Sequence, residues 1–324
     1  MIALQKGKKY LVTGGSGFLG HEIIRRIISV GASAVVLARD EGKLIELKQV
    51  YPSVEIFTGD VGDRFSVQQA IKGVNGVFHC AAFKHVGMAE LQSRECTISN
   101  IHGSLHVLEE SIREEVDFVI GISTDKACEP DNNYGYSKLL MEKIFLEANT
   151  DKNKFSVCRF GNVTHSHGSV LPFWLRLKAD NKTIKLTDSS MNRLMFSQKE
   201  AVDLVHTAMS NTQSSEGGFI LSKKMKTVNM LDLAKVISND IEEVGVRPGE
   251  KLNETLISSE EIPFTFIDGN FITIKNYKNK GSNILTEEYS SLTAEKMNIE
   301  EMIDMVSETD KNLKKSLYRY GIYG

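Results

Sequence analysis

Tyr134 and Lys138 are four residues apart, a spacing that places both side chains on one face of a helix. A tyrosine phenol has an ordinary pKa of about 10, too high for a base near neutral pH, and a neighbouring ammonium group lowers it. Such a pair is suited to take a proton from a hydroxyl group while the adjoining carbon loses a hydride. Alone, this spacing is common by chance and usually carries no function. Ten residues after the strand that ends at Thr124, and in a chain with a glycine-rich turn near its start, it predicts redox chemistry on an alcohol.

A second pair of ionisable residues, Asp125 and Lys126, directly follows Thr124 at the end of an apolar run. An acid beside a base can move protons at neighbouring atoms of one substrate. By itself, however, a dipeptide of this kind usually forms an ion pair on the protein surface. The surface ion pair is therefore the default interpretation of this dipeptide.

The elements that position these pairs begin with a strand, a glycine-rich turn and a helix. The apolar run of residues 8–12 leads into a Gly-x-x-Gly-x-x-Gly turn, after which isoleucines recur at helical spacing. In such a unit the glycines permit a tight turn, the approach of a pyrophosphate and the packing of helix on strand. A glycine turn without a ligand is the alternative for a lone motif. The predicted cofactor contacts in this turn are Gly14, Ser16, Gly17, Phe18, Leu19 and Gly20.

Further apolar runs alternate with helical patterns up to residue 163. This alternation predicts the α/β class, with a Rossmann-like, doubly wound parallel sheet. The remaining chain predicts a smaller, mixed α/β substrate-binding domain, with a helix over residues 230–241. We assign residues 1–163 to the sheet domain, with residues 194–222 returning to it, and residues 164–193 and 223–324 to the smaller domain.

The end of the second predicted strand indicates which dinucleotide binds. The sequence there is Ala38-Arg39-Asp40, a small residue followed by a cation that can meet a 2′-phosphate, so NADP is favoured over NAD. Two alternatives stay open, because Arg39 could be a solvated loop charge and Asp40 could bond a ribose hydroxyl. An adenine contact or a helix cap is predicted for Asp60. The other predicted cofactor contacts are Lys43, Val61, Ala81, Ala82, Lys84, Tyr134 and Lys138.

Composition excludes several classes of protein. With 39 Lys+Arg against 42 Asp+Glu, the formal net charge is -3, so no basic field is available for nucleic acid. The 4 cysteines include no Cys-x-x-Cys pair, so we expect a reducing compartment and no metal site. No apolar run is long enough for a membrane span. We therefore expect a cytoplasmic protein that contacts neither nucleic acid nor membrane.

Ordered motifs give the chain a family resemblance. It resembles the extended short-chain dehydrogenases/reductases and, more narrowly, the inverting UDP-N-acetylglucosamine 4,6-dehydratases. The segments that carry this resemblance are AAFKHV at 81–86, STDKACEPDNNYGYSK at 123–138, RFGNV at 159–163, GSVLP at 168–172 and RPGEKLNE at 247–254.

The resemblance implies a role for each residue of the two pairs. Tyr134 and Lys138, with Thr124, would oxidise C4 of the sugar. Lys126 would then remove the C5 proton and Asp125 would protonate the departing C6 oxygen, provided that burial or a neighbouring cation lowers the pKa of Lys126. Return of the hydride to C6 and protonation of C5 from the opposite face would invert that centre. Members that retain the C5 configuration on glucose nucleotides carry Asp-Glu here.

The resemblance also implies a UDP-sugar substrate and a homo-oligomer. The residues implied to contact the substrate are Lys84, His85, Asn162, Val163, Arg193, Arg247 and Glu250. Two segments depart from the usual family pattern, namely His165-Ser166-His167 and Asn192 beside Arg193. The alternatives are a UDP-sugar 4-epimerase or 4-keto reductase, which would not need Asp125 and Lys126, and a non-catalytic NADP-sensing protein.

Overall fold

The computed structural model describes residues 4–166, 168–215 and 217–308. The strands are β1 (Lys9–Thr13), β2 (Ser33–Ala38), β3 (Glu55–Thr58), β4 (Gly76–His79), β5 (Phe118–Thr124), β6 (Lys154–Phe160), β7 (Asn162–Val163), β8 (Ile184–Leu186), β9 (Asn192–Phe196), β10 (Phe219–Lys223), β11 (Lys226–Asn229), β12 (Ile241–Glu243), β13 (Thr255–Ile257), β14 (Thr265–Asp268), β15 (Phe271–Lys275) and β16 (Tyr289–Ser290). The α-helices are α1 (Phe18–Ser29), α2 (Glu41–Val50), α3 (Arg64–Ala70), α4 (Val86–Leu91), α5 (Ser93–Thr97), α6 (Gly103–Arg113), α7 (Asn133–Ala148), α8 (Val170–Ala179), α9 (Gln198–Ser214), α10 (Met230–Ile237) and α11 (Ile299–Val306).

One nine-stranded sheet organises the molecule, in the order β14-β15-β10-β6-β5-β4-β1-β2-β3. From β3 to β10 all neighbouring strands are parallel, whereas β14 and β15 pair antiparallel at one edge. The alternating apolar runs form the parallel strands, which, apart from the edge strand β3, are buried on both faces because helices cover them. The predicted α/β, Rossmann-like sheet is confirmed.

Helix α1 shows how the sequence pattern produces the packing. Its residues Ile23, Ile24 and Ile27 are fully buried, because their spacing places them on the face that meets the sheet. Burying each of these side chains contributes on the order of 2 kcal/mol. The glycine turn is thereby held between β1 and a helix that is firmly docked.

A second apolar cluster lies away from the large sheet. It is built around Trp174 of α8, Leu233 of α10 and Ile303 of α11. Two small sheets, with the orders β11-β9-β7 and β12-β8, contribute residues to it, whereas a third, β13-β16, packs through Leu256 and Ile257 into the core of the large sheet. The division of the chain into domains stays a prediction, and residues 309–324 of the predicted smaller domain lie outside the described residues.

The helix predicted over residues 230–241 is too long. Helix α10 ends at Ile237, and Ile241 lies instead in β12, opposite Ile184 of β8. Ile241 continues the apolar spacing of the helix, but pairing with a distant strand determines its conformation. Nothing in the local pattern indicates that partner.

Among the described residues, no helix combines the length and apolar character needed to cross a membrane. The same part of the chain contains no cluster of three or more His, Cys, Asp or Glu residues that could hold a metal ion.

Candidate active site

A cleft of about 780 Å³ opens at the carboxyl ends of the parallel strands, the edge at which such sheets bind ligands. It runs from the glycine turn past the ends of β2 and β4 to the start of α7. The predicted site residues that line it are Gly14, Ser16, Gly17, Phe18, Leu19, Gly20, Arg39, Asp40, Lys43, Asp60, Val61, Ala81, Ala82, Lys84, His85, Thr124, Lys126, Tyr134, Lys138, Asn162 and Val163.

The glycine turn is packed so closely that side chains would block it. Gly14 has φ of +66°, and a Cβ there would lie 2.8 Å from the backbone of Ala81. A Cβ on Gly20 would lie 2.5 Å from Gly15, where helix meets turn. Gly17 at the N-cap of α1 has no side chain to cap the helix, and the start of α1 lines the cleft, where the helix dipole favours an anion. These features fit the pyrophosphate of a dinucleotide.

A buried histidine supports this turn. The His79 ring bonds Thr13 Oγ1 at 2.8 Å and Ser104 Oγ at 3.1 Å, while the backbone N–H of Ala81 donates to Thr13 Oγ1. Burial lowers the pKa of His79 to about 3, so the ring is neutral near pH 7. His79 thus ties the ends of β1 and β4 to α6. Its position at the end of an apolar run was the only sequence signal for this role.

The charged residues after β2 have mixed roles. The Asp40 carboxylate accepts the backbone N–H of Lys43 at 3.0 Å and pairs with Lys43 Nζ at 3.3 Å, so it caps α2. Arg39, 62% exposed, lies 3.4 Å from Asp60, whose other oxygen accepts the N–H of Gly62. Helix α3 is capped by Asp63, so Asp60 is not its cap.

Helix α7 brings Tyr134 and Lys138 to the cleft, as their spacing predicts. Asn132 caps the helix by accepting the N–H of Gly135 at 2.8 Å. Lys138 Nζ donates to the carbonyl of Ile122 at 2.6 Å. Burial lowers the pKa of Lys138 to about 8. Lys138 Nζ is therefore fixed at the wall of the cleft, and burial makes its protonated form less stable, relative to the neutral amine, than in an exposed lysine.

The pKa of Tyr134 lies above its ordinary value. Burial raises it to about 12, and the groups that lower it are the Lys126 ammonium and a hydrogen bond with Thr124. We expected Lys138 to be the cation that acts on the phenol. That expectation combines the Lys138 ammonium with the charge of the nicotinamide, and it stays a prediction. The spacing on α7 fixes a common face for the two side chains but not the position of Lys138 Nζ, which donates to Ile122 of β5.

Asp125 and Lys126 form a short 3-10 turn directly after β5. Asp125 is fully buried, and its Oδ1 accepts Thr124 Oγ1 at 2.8 Å and Lys126 Nζ at 3.0 Å. Within the described residues its other oxygen, Oδ2, has no hydrogen-bond partner. The pair is therefore not the surface ion pair that the dipeptide alone suggests.

A carboxylate that sequence reasoning missed completes this cluster. Glu254, 3% exposed, places Oε1 3.3 Å from Lys126 Nζ. Burial by itself lowers the pKa of Lys126, but Asp125 and Glu254 outweigh burial and the pKa lies above its ordinary value. The lowered pKa that the role of Lys126 as a base requires is therefore not produced by this arrangement of charges. The only sequence signal for Glu254 was its place at the end of the RPGEKLNE segment.

The predicted substrate residues divide into two groups. Asn162 lines the cleft, and its Nδ2 is buried without a hydrogen-bond partner among the described residues. Arg193 lies outside the lining, because its guanidinium donates to the carbonyls of Asn192, Lys251 and Leu252 at 2.8–3.0 Å. Arg247 and Glu250 also lie outside the lining, with 3.8 Å between their charged groups. Contacts of these residues with a substrate stay a prediction.

The segment that departs from the family pattern borders the same cleft. His165 Nε2 bonds the carbonyl of Met305 at 2.8 Å, and Gly168 lies against the His85 ring. His167 lies outside the described residues. Ser166 and Gly168 line the cleft beside His85.

Comparison with known proteins places the chain in a family. The model of a family described as "polysaccharide biosynthesis protein" matches residues 10–276. The chain belongs to this family.

Several proteins of known name are similar in sequence to this chain over most of its length. A protein of Campylobacter jejuni subsp. jejuni serotype O:23/36 (strain 81-176), named UDP-N-acetylglucosamine 4,6-dehydratase (inverting), is 36% identical over 83% of this chain and 83% of its own length. A protein of Rickettsia bellii (strain RML369-C), named UDP-glucose 4-epimerase, is 34% identical over 94% of this chain and 96% of its own length. The resemblance to the inverting dehydratases is confirmed at this level of identity.

Solved structures agree with the family fold. Pen from Bacillus thuringiensis superposes with a TM-score of 0.88 at 29% identity, covering 94% of this chain and 98% of Pen. The dTDP-glucose 4,6-dehydratase DesIV from Streptomyces venezuelae gives 0.67 at 19% identity, covering 75% and 86% of the two chains. The second likeness concerns the fold alone.

Proposed function

We propose that this member of the polysaccharide biosynthesis protein family is an NADP-dependent UDP-N-acetylglucosamine 4,6-dehydratase that inverts C5. The proposal is carried by one observation: Tyr134, Lys138 and Lys126 line one cleft, and Lys126 is bonded to a buried Asp125. An oxidising pair and an eliminating pair thus act on one bound sugar. The name of the Campylobacter jejuni relative supports the same activity.

The chain's own residues supply the proton transfers. Tyr134 takes the proton of the C4 hydroxyl, with Lys138 behind it, which leaves a ketone that acidifies the C5 proton. Lys126, as the free amine, removes that proton, and Asp125 protonates the C6 hydroxyl so that water departs. A bound NADP would accept the C4 hydride and return that hydride to C6, and C5 would then take a proton on the face opposite to the one from which Lys126 removed it.

The cofactor preference follows from the groups at the end of β2. Asp40 caps α2 and pairs with Lys43, so a ribose hydroxyl would have to share a carboxylate that these groups already use. Arg39 is largely exposed at the cleft, and its contact with Asp60 is long, so a 2′-phosphate can displace it. We therefore favour NADP over NAD. The pyrophosphate would lie against Gly14, Gly17 and the start of α1.

The proposed substrate is a UDP-sugar that would bond Asn162 Nδ2, an amide without a hydrogen-bond partner in the part of the chain that the structure describes. Arg247 and Glu250 would reach it only if their segment moves toward the cleft, and Arg193 would act by holding residues 251 and 252. We also propose a cytoplasmic homo-oligomer and a role in surface glycan synthesis, in keeping with the family.

The test is incubation of the purified protein with NADP and UDP-N-acetylglucosamine in deuterated water. We expect a sugar nucleotide that has lost one water by mass spectrometry, with deuterium at C5 and inverted configuration by proton NMR. The variant Asp125→Asn should abolish loss of water. Unchanged sugar across UDP-N-acetylglucosamine and other UDP-hexoses would refute the proposal.

A UDP-sugar 4-epimerase is the second candidate, because relatives named UDP-glucose 4-epimerase cover 94% of the chain. Such an enzyme would use Tyr134 and leave the Asp125–Lys126 pair without a role. A product that keeps its water and its C5 proton while changing configuration at C4 would select this candidate.

A further inference from the structure

Lys126 is held between two buried carboxylates, only one of which the proposed dehydration uses. Its Nζ lies 3.0 Å from Asp125 Oδ1 and 3.3 Å from Glu254 Oε1. The Glu254 backbone is fixed as well, since its N–H donates to Ser291 Oγ at 3.0 Å and its carbonyl accepts the N–H of Ser291. Glu254 is therefore a rigidly placed third member of the acid–base cluster.

The proposed chemistry needs a particular distribution of protons in this cluster. At rest, Lys126 is an ammonium and Asp125 a carboxylate; elimination needs the free amine and the carboxylic acid. The two forms differ by one proton that crosses the 3.0 Å contact from Nζ to Oδ1. Lys126 then binds the C5 proton and Asp125 releases its proton to the departing hydroxyl, which restores the resting form. No net charge enters or leaves the cluster.

Glu254 acts on this transfer through its charge. An ionised carboxylate 3.3 Å from Nζ stabilises the ammonium and opposes loss of its proton. The groups whose charges act on Glu254 are Lys126, Asp125 and Arg193, and burial raises the pKa of Glu254 while the two cations lower it. The neutral form of Glu254 is thus more accessible than that of an exposed glutamate.

We infer that Glu254 is a positioning residue that holds the Lys126 amine against Asp125 and controls how readily the proton passes between them. This inference rests on the proposed function. It assigns no contact between Glu254 and the sugar. The role is electrostatic and geometric, exerted through Lys126.

The isosteric variant Glu254→Gln separates charge from position. Its amide oxygen can still accept from Lys126 Nζ, but the negative charge is gone. We expect the pH limb of kcat that reports ionisation of Lys126 to move to lower pH by about one unit or more, with KM changed by less than about threefold. Glu254→Asp, which keeps the charge, should return the limb toward its original position. Glu295→Gln is the matched control, because Glu295 pairs with Lys226 and is 74% exposed.

A second measurement does not depend on turnover. Proteins labelled with 15N-lysine report each Nζ by NMR, and Lys126→Met identifies the Lys126 signal. Its titration midpoint should fall in Glu254→Gln and stay unchanged in the control. If the wild type makes no keto sugar, the proposed function fails while this measurement still decides the role of Glu254. An unmoved midpoint, or a uniform loss of kcat at every pH without a shift, would overturn the inference.

Discussion

Replacing Arg159 by methionine should destabilise the protein strongly, because it leaves two carboxylates without their counterion. Arg159 is 1% exposed and lies in β6, where its guanidinium bonds both oxygens of Glu142 at 2.6–2.9 Å and both oxygens of Glu261 at 2.8–2.9 Å. It also donates to the carbonyl of Leu256 at 3.0 Å. The residue thus joins α7 and the sheet to the segment that contains β13.

The expected loss follows from the burial of the partners. Removing one member of a buried ion pair costs about 3–5 kcal/mol, mainly because the remaining charge stays buried. With an unfolding entropy of ~2.1 cal/mol/K per residue over 324 residues, this corresponds to a Tm lower by about 4–7 °C. Burial raises the pKa of Glu261, but Arg159 outweighs burial and holds the pKa below its ordinary value. In the wild type, the stabilisation from the Arg159–Glu261 ion pair is therefore lost as the pH falls through the lowered pKa of Glu261. Arg159→Met lacks this stabilisation at every pH.

Calorimetry and guanidinium unfolding at pH 7 measure this loss. Arg94→Met is the matched control, since Arg94 is 81% exposed and should change the free energy of unfolding by less than about 0.5 kcal/mol. In the triple variant Arg159→Met, Glu142→Gln, Glu261→Gln, removal of both orphaned charges should recover most of the loss. An Arg159→Met protein as stable as the wild type, or a triple variant no more stable than the single one, would refute the reasoning.

Three further predictions concern the cleft. Gly20→Ala should weaken dinucleotide binding at least tenfold, because the new Cβ would lie 2.5 Å from Gly15 and displace the turn. Fluorescence titration measures this affinity, and an unchanged value would contradict the packing. Tyr134→Phe should lower kcat by ~10²–10⁴-fold, the usual effect of a general base, with a Tm close to that of the wild type; a fully active variant would remove Tyr134 from the mechanism. Between pH 8 and 10.5 the folded protein binds fewer protons at Lys138 than the unfolded chain does. The free energy of unfolding of the wild type, relative to that of Lys138→Met, should therefore rise by about 3 kcal/mol over that range. Denaturant unfolding at both pH values measures this difference, and a constant difference would show that Lys138 is not the titrating group.

Local patterns were sufficient for the parallel strands and for most of the residues that line the cleft. They did not indicate that β14 and β15 join the large sheet, nor that Arg193, Arg247 and Glu250 lie outside the cleft lining. The glycine turn, the end of β5 and the Tyr134–Lys138 spacing each depend on residues close together in sequence, and parallel strands bring their carboxyl ends to one edge. The proton chemistry was not accessible in this way. Glu254 approaches Lys126 from a distant part of the chain, and the side chain of Lys138 turns to a backbone carbonyl. Burial and long-range partners determine these pKa values, and neither is encoded in spacing.

The hairpin of β14 and β15 limits how the protein can be recombined with its relatives. Although the hairpin follows β10 by about forty residues in the chain, β15 pairs with β10 and the hairpin forms one edge of the large sheet. A chimera joined after residue 223 that discards this hairpin would leave the row of backbone groups on β10 open to strand addition by another molecule. Exchanges designed to alter sugar selectivity should therefore keep Thr265–Asp268 and Phe271–Lys275 from the same parent as β10.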